Sequence, residues 1–225
     1  MSIVGMDAEI SSGVVVVVDV IRAFTTAAVA FERGVRDIAC AASLDLGREL
    51  RRRYPDRLLA GESRGLKPVD YDFGNSPFEM SMAQVDGKRL IQATSNGTVG
   101  LGRCLEPTAL LAASARNVSA TARWVRANHG GEPWTILCTG RTEEDWACAR
   151  HLSDLLQGVE PERERLVAGV MDGVAERSRS FAHRPVADRV DLSVDLPFCC
   201  DVDRSAFAMV GEIRDDHVVL TKVPA

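Results

Sequence analysis

The sequence predicts an α/β protein: a three-layer α/β/α arrangement around a largely parallel, mixed sheet. Three observations carry this. Val14–Val20 is a continuous apolar, β-branched run, the pattern of a strand covered on both faces. Short apolar runs then alternate with helix-compatible segments over most of the chain. The links between them are short, as βα units require.

The elements follow in order. Thr25 to about Arg33 is Ala-rich and helix-compatible, and Gly34 closes it. Val35–Ala42 reads as a second strand, and Ser43–Arg53 as a helix with Ser43 as N-cap, an arginine-rich outer face at Arg51–Arg53 and Pro55 as a stop. Leu58–Ala60 is a short strand. Gly61–Met80 is rich in Gly, Pro, Asp and Asn, too irregular for an element and long for a passive connection. Arg89–Thr94 reads as a strand, Asn96–Cys104 as a helix after a turn, and Thr108–Ala113 as a strand. Ser119–Ala127 is a helix, Trp134–Cys138 a strand, and Thr142–Leu156 a helix whose acids Glu143, Glu144 and Asp145 suit the helix dipole. Pro161–Arg179 reads as helical, Arg184–Asp195 as loop, and Phe207–Val223 as one or two closing strands. With no repeat and no low-complexity linker, residues 1–225 are expected to form one domain.

Bulk composition excludes several classes. With 46% hydrophobic residues, 26% charged residues and a net charge of -5, the chain can bury a core and lacks the basic excess of a nucleic-acid binder. No apolar run reaches the length of a membrane span, and the N-terminus lacks a signal-peptide pattern. The six cysteines form no CxxC pair, so reduced thiols and a cytoplasmic location are expected. The four histidines (His129, His151, His183, His217) sit in no partnered pattern and read as surface residues. A homodimer is the base-rate expectation for oligomeric state.

In such sheets ligands bind beyond the carboxyl ends of the strands, and polar residues gather there at four strand ends. They are Asp19, Arg22, Thr25 and Thr26; Glu62, followed by Asp72, Asn75, Ser76 and Glu79; Thr94, Ser95, Asn96, Gly97 and Thr98; and Cys138, Thr139, Gly140 and Arg141 with the acids beyond. That convergence suits a phosphate or carboxylate. Each piece alone has a plainer reading: Asp19 as a helix cap, Arg22 as half of an ion pair, "TSNGT" as a tight turn. The same turn opening into a helix is also an anion cradle. No P-loop, GxSxG elbow or HExxH is present. Asp19 lacks a second acid two residues on, and Cys138 and Arg141 lie too close for a cysteine-phosphatase cradle.

Four ordered motifs, "VVVVDVIRAFTTA", "GESRGLKPVDYDFGNSP", "ATSNGT" and "CTGRTEEDWACA", with the tail "DLPFCCDVDR", resemble the 2-phosphosulfolactate phosphatase family from about Val14 to Arg204. The resemblance implies an α/β fold and Mg²⁺-dependent hydrolysis of 2-phosphosulfolactate to sulfolactate and phosphate, a step toward coenzyme M. Position by position it points to Asp19, Arg22, Glu62 and Cys138 as catalytic. It points to Thr25, Thr26, Asn75, Ser76, Thr94, Ser95, Asn96 and Gly97 for the phosphate and substrate, and to Asp19, Glu62, Glu144 and Asp145 for the metal. Arg64, Lys67 and Arg141 are loop cations that a sulfonate and a carboxylate would meet. The chain departs from the family pattern at Ser95, at Phe24, in C-T-G for C-A-G, and in a shortened "RTEED" connection. Besides a phosphatase, the residues allow a diverged enzyme with other chemistry or a non-catalytic phosphate- or metabolite-binding protein.

Overall fold

The structure, a computed structural model, describes residues 1–225 except Ser11, Ser12, Phe181, Arg184 and residues 186–189. Part of the expected Arg184–Asp195 loop therefore lies outside the described residues.

The sheet has nine strands: β1 (Ser2–Gly5), β2 (Val14–Val18), β3 (Ile38–Ala41), β4 (Leu58–Gly61), β5 (Leu90–Ala93), β6 (Ala109–Ala113), β7 (Trp134–Cys138), β8 (Phe207–Ile213) and β9 (Val218–Pro224). Their order is β1-β7-β2-β6-β8-β9-β3-β5-β4. Two parallel blocks, β1-β7-β2-β6 and β3-β5-β4, are joined by the antiparallel hairpin β8–β9, which pairs antiparallel with β6 on one side and β3 on the other. The mixed sheet expected from the sequence is present, and the closing segment forms both of its strands. β1 has no counterpart in the sequence reading; four residues pairing along one edge leave too short a pattern to stand out.

The valine run shows why the core is two-sided. Val15 and Val17 pack into one apolar cluster with α1 (Ala23–Glu32), α3 (Pro77–Met82) and α4 (Gly97–Gly102). Val14, Val16 and Val18 pack into the opposite cluster with α5 (Val118–His129), α6 (Glu143–Leu156) and α7 (Arg163–Ser180). Successive strand residues point to opposite faces, so only a strand covered on both sides accepts five valines in a row. α2 (Leu44–Arg53) is capped by Ser43, whose hydroxyl accepts from the Leu46 N–H at 3.1 Å. α3 begins inside the Gly61–Met80 stretch expected to be irregular and runs two residues past it, and α8 (Leu196–Cys199) is a single turn that no periodicity could announce.

β2 and β5 lie five places apart in the sheet, about 24 Å in a flat one. Yet a Cβ on Gly97, just past β5, would meet Asp19 Oδ2 at 2.9 Å, and one on Gly100 would meet Val17 at 2.9 Å. Three antiparallel steps separate the two blocks, so β2 and β5 run in opposite senses, and α4, which follows β5, crosses back over β3 to β2. The carboxyl ends of both parallel blocks thereby face one space.

Candidate active site

That space is a cavity of about 460 Å³. The end of β2 contributes Asp19 and Arg22, the end of β4 Glu62 and Arg64, and the end of β5 Thr94, Ser95 and Asn96. Asn75 comes from the loop before α3 and Arg177 from α7, while Ile21, Val190 and Leu192 make an apolar side.

Asp19 is buried, and its backbone N–H donates to the Ala113 carbonyl at 3.1 Å, which carries the β2–β6 ladder one step past the strands. Oδ1 accepts from the Ala23 N–H at 2.9 Å, so the cap-like role weighed from the sequence is real, and Oδ2 accepts from the Thr139 hydroxyl at 3.0 Å. Behind it, Asp145 accepts from the N–H groups of Val20 at 2.8 Å and Gly140 at 2.7 Å, binding the β2 and β7 loops together. Glu144 is fully buried and ion-paired to Arg177, with Nε at 2.8 Å from Oε1. Its Oε2 has no partner among the described residues, and it packs where Gly173 leaves room for no Cβ. Burial holds the Asp19 carboxyl above the usual aspartate range, and burial plus the Asp19 and Glu144 charges holds Asp145 well above it.

Arg22 is held by two loops. Nη1 donates to Asp195 Oδ2 at 2.7 Å and Nη2 to the Gly65 carbonyl at 3.0 Å. The Asp195 Oδ1 accepts from the Ser76 hydroxyl at 2.5 Å and the Phe78 N–H at 3.2 Å. Ser76 also caps α3, accepting from the Glu79 N–H at 3.1 Å. The adjacent Asn75 lines the cavity with a buried Oδ1 that has no partner among the described residues.

Glu62 clamps the remaining loops. Its carboxylate accepts from the N–H groups of Gly65 at 2.5 Å and Ser95 at 2.6 Å, and from the Ser95 hydroxyl at 3.2 Å. Ser63 and Leu66 exchange both backbone hydrogen bonds at 3.0 Å around Arg64 (φ 53) and Gly65 (φ 89), a two-residue hairpin that needs positive φ at both positions. Thr94 Oγ1 accepts from the Thr98 N–H at 3.1 Å, while the Thr98 hydroxyl accepts from the Thr94 N–H at 2.9 Å; this closes the turn and starts α4. The first N–H groups of a helix have no intrahelical acceptor; here Asn96 lines the cavity and Gly97 packs beside Asp19.

Of the residues the sequence pointed to, the structure brings Asp19, Arg22, Glu62, Asn75, Thr94, Ser95 and Asn96 to the cavity, with Gly97 against Asp19. Others lie elsewhere. The Thr25 hydroxyl donates to the Val20 carbonyl at 2.7 Å, and the buried Thr26 hydroxyl faces the core without a partner among the described residues. Cys138 does not line the cavity; it is buried in the apolar cluster of Val14, Val16 and Val18, where burial pushes its thiol up and disfavours the thiolate a nucleophile requires. Ser76, Glu144 and Asp145 support loops from behind. Among the loop cations, Arg64 lines the cavity, whereas Lys67 bonds the Asp72 carbonyl at 3.3 Å and Arg141, 92% exposed, faces Asp7. His151, expected at the surface, is buried on α6, and burial lowers its pKa. Sequence reasoning missed Arg177 and Asp195. Arg177 lies on a long helix in no motif, while Asp195 opens the "DLPF" tail that had been singled out without a role.

Fold and site together define an α/β protein with an arginine-bearing, carboxylate-bearing cavity at the carboxyl ends of its strands, the position and chemistry of an anion-processing centre. The family model for 2-phosphosulpholactate phosphatase matches residues 4–214. The chain is 37% identical over 222 residues to a "Probable 2-phosphosulfolactate phosphatase" of Thermus thermophilus, covering 93% of this chain and 92% of that protein. It is 31% identical over 209 residues to a protein of the same name from Bacillus subtilis, covering 92% and 89%. The chain belongs to the 2-phosphosulfolactate phosphatase family.

Proposed function

We propose that the protein hydrolyses a small anionic phosphate monoester, 2-phosphosulfolactate, to sulfolactate and inorganic phosphate with Mg²⁺ as cofactor. The observation that carries this reading is the convergence on one cavity of Asp19, Arg22, Glu62 and the Thr94–Gly97 turn, residues from three strand ends. A phosphoryl group in transfer spreads charge over its oxygens, and catalysis consists largely of fixed donors placed around them. The remaining donors of the Arg22 fork, the Asn75 amide and the N–H groups at Asn96 and Gly97 serve that purpose. Arg64 and Arg177 supply positive charge for the sulfonate and carboxylate of the substrate. In the reaction a water oxygen bonds to phosphorus, the ester P–O bond breaks and the leaving oxygen gains a proton.

The donor set fits Mg²⁺ in the sparse mode that ion favours, one or two carboxylates plus substrate oxygens and water. Asp19 and Glu62, the cavity carboxylates, are the residues that would hold it; bound there, Mg²⁺ offsets phosphate charge. Among the described residues no group of three or more His, Cys, Asp or Glu side chains converges, and Glu144 and Asp145 are engaged behind the cavity. No helix among the described residues is long and apolar enough to cross a membrane. The free cysteines, all buried but the half-buried Cys200, support a cytoplasmic location.

The test is phosphate release from 2-phosphosulfolactate with Mg²⁺ or with a chelator, for wild type and Asp19→Asn. Metal-dependent release that falls at least about 10³-fold in the variant is expected. A folded wild type that releases no phosphate with Mg²⁺ would falsify the reading.

A further inference from the structure

We infer that Asp195 is a positioning residue that sets two substrate-facing side chains, Arg22 and Asn75, from a single buried carboxylate; this rests on the phosphatase reading above. Asp195 is 1% exposed and precedes α8, at the far end of the chain from β2. Its Oδ2 accepts from Arg22 Nη1 at 2.7 Å. Its Oδ1 accepts from the Ser76 hydroxyl at 2.5 Å and the Phe78 N–H at 3.2 Å, which pins the turn carrying Asn75. The two oxygens thus face two different loops. Arg22 has one further tie, from Nη2 to the Gly65 carbonyl at 3.0 Å, which restrains the guanidinium without contributing opposite charge.

A guanidinium on a flexible stem samples many rotamers unless acceptors fix it, as the Asp195 carboxylate and the Gly65 carbonyl do here. Held at one end by Asp195, its remaining N–H groups are aimed at the cavity before the substrate arrives. On the other loop, the Asn75 amide has a buried oxygen without a partner among the described residues, so its aim comes from its backbone, which Ser76 and Phe78 anchor on the same carboxylate. The segment near the C-terminus therefore completes the site while touching no reacting atom, and both loops keep one spacing relative to each other.

The experiment is a pair of double-mutant cycles on the full chain, read as kcat and KM for 2-phosphosulfolactate. Asp195→Asn keeps the shape and is expected to lower kcat/KM roughly 10- to 100-fold, the scale of a small misplacement of a catalytic group. The same change made in an Arg22→Lys background is expected to cost less than about threefold, because the group it positions has already lost its fork. Ser76→Ala removes the hydroxyl of the second arm together with the α3 cap; its loss in kcat/KM, measured per folded molecule, is expected to vanish in an Asn75→Ala background. Losses that multiply across backgrounds would overturn the assignment, since a merely structural residue gives that result. Calorimetric titration with inorganic phosphate separates this idea from the choice of substrate. A wild type that binds phosphate without turning over 2-phosphosulfolactate refutes the function, and weaker phosphate binding by Asp195→Asn then still supports the positioning role. Equal phosphate affinity in the two proteins refutes the positioning role.

Discussion

Arg22 and Arg116 form a natural pair for comparison. Both are buried, both follow neighbouring parallel strands (β2 and β6), and both meet an aspartate flanking α8, Asp195 or Asp201. Arg116 is engaged on every side. Nε and Nη2 fork onto Glu32 at 3.2 and 2.9 Å, Nη1 reaches Asp201 at 3.1 Å and the Phe198 carbonyl at 3.4 Å, and the ring of Phe198 lies 5.7 Å away. Arg22 has two protein partners, and the rest of its fork faces the cavity. A guanidinium saturated by protein acceptors is a structural joint. One held by two protein acceptors with its other donors open to the cavity is a binding group.

The largest expected effect is functional. Arg22→Lys keeps the charge but loses the fork, and kcat/KM for phosphate release is expected to fall about 10²-fold. Arg116→Ala should reverse the signature. It strands Glu32 and Asp201 and is expected to cost about 2–4 kcal/mol in urea unfolding, with activity per folded molecule within about twofold of wild type. Equal activity losses in the two variants would erase the distinction.

A subtler test concerns carboxylates that have no arginine of their own. Asp19 and Asp145 are held by N–H and hydroxyl donors, and burial raises both above the ordinary value of 3.8. The folded state therefore retains protons that the unfolded chain releases, so this contribution to stability falls as pH rises from about 3.8 toward the raised folded values. Asp145→Asn removes the titration at that site. Measured in chelator, the stability of the variant relative to wild type should increase as pH rises above about 4 toward the raised folded value. A gap independent of pH would show that Asp145 titrates normally.

The smallest effect is expected at the cations that lie outside the cavity. Arg141→Ala and Lys67→Ala should each leave kcat/KM within about twofold of wild type, because exposed, screened charges contribute little. A tenfold loss in either would mean that the cavity extends over that loop when substrate binds.

Much of this was legible in the sequence. The valine run, the Ser43 cap, the exact span of Trp134–Cys138 and the polar residues at four strand ends all follow from local rules, because strand period, capping chemistry and turn composition act over a few neighbouring residues. Asp19, Arg22, Glu62 and the "TSNGT" turn could be singled out for the same reason, each sitting directly after a strand. Tertiary structure decided which of them meet. The hairpin β8–β9 separates the two parallel blocks, and α4, crossing back over β3 to β2, brings Gly97 against Asp19 across five strand positions. It also decided against Cys138, Thr25 and Thr26, since a side chain one residue along a strand or helix turns to another face and no motif states which face is covered. Arg177 and Asp195 join the site through contacts made more than 150 residues away in sequence from β2, the one facing Asp19 across the cavity and the other bonded to Arg22. Local pattern determined the elements and the residue types at their ends; long-range packing determined the partners, because a carboxylate's partner is set by distance in space and not by spacing along the chain.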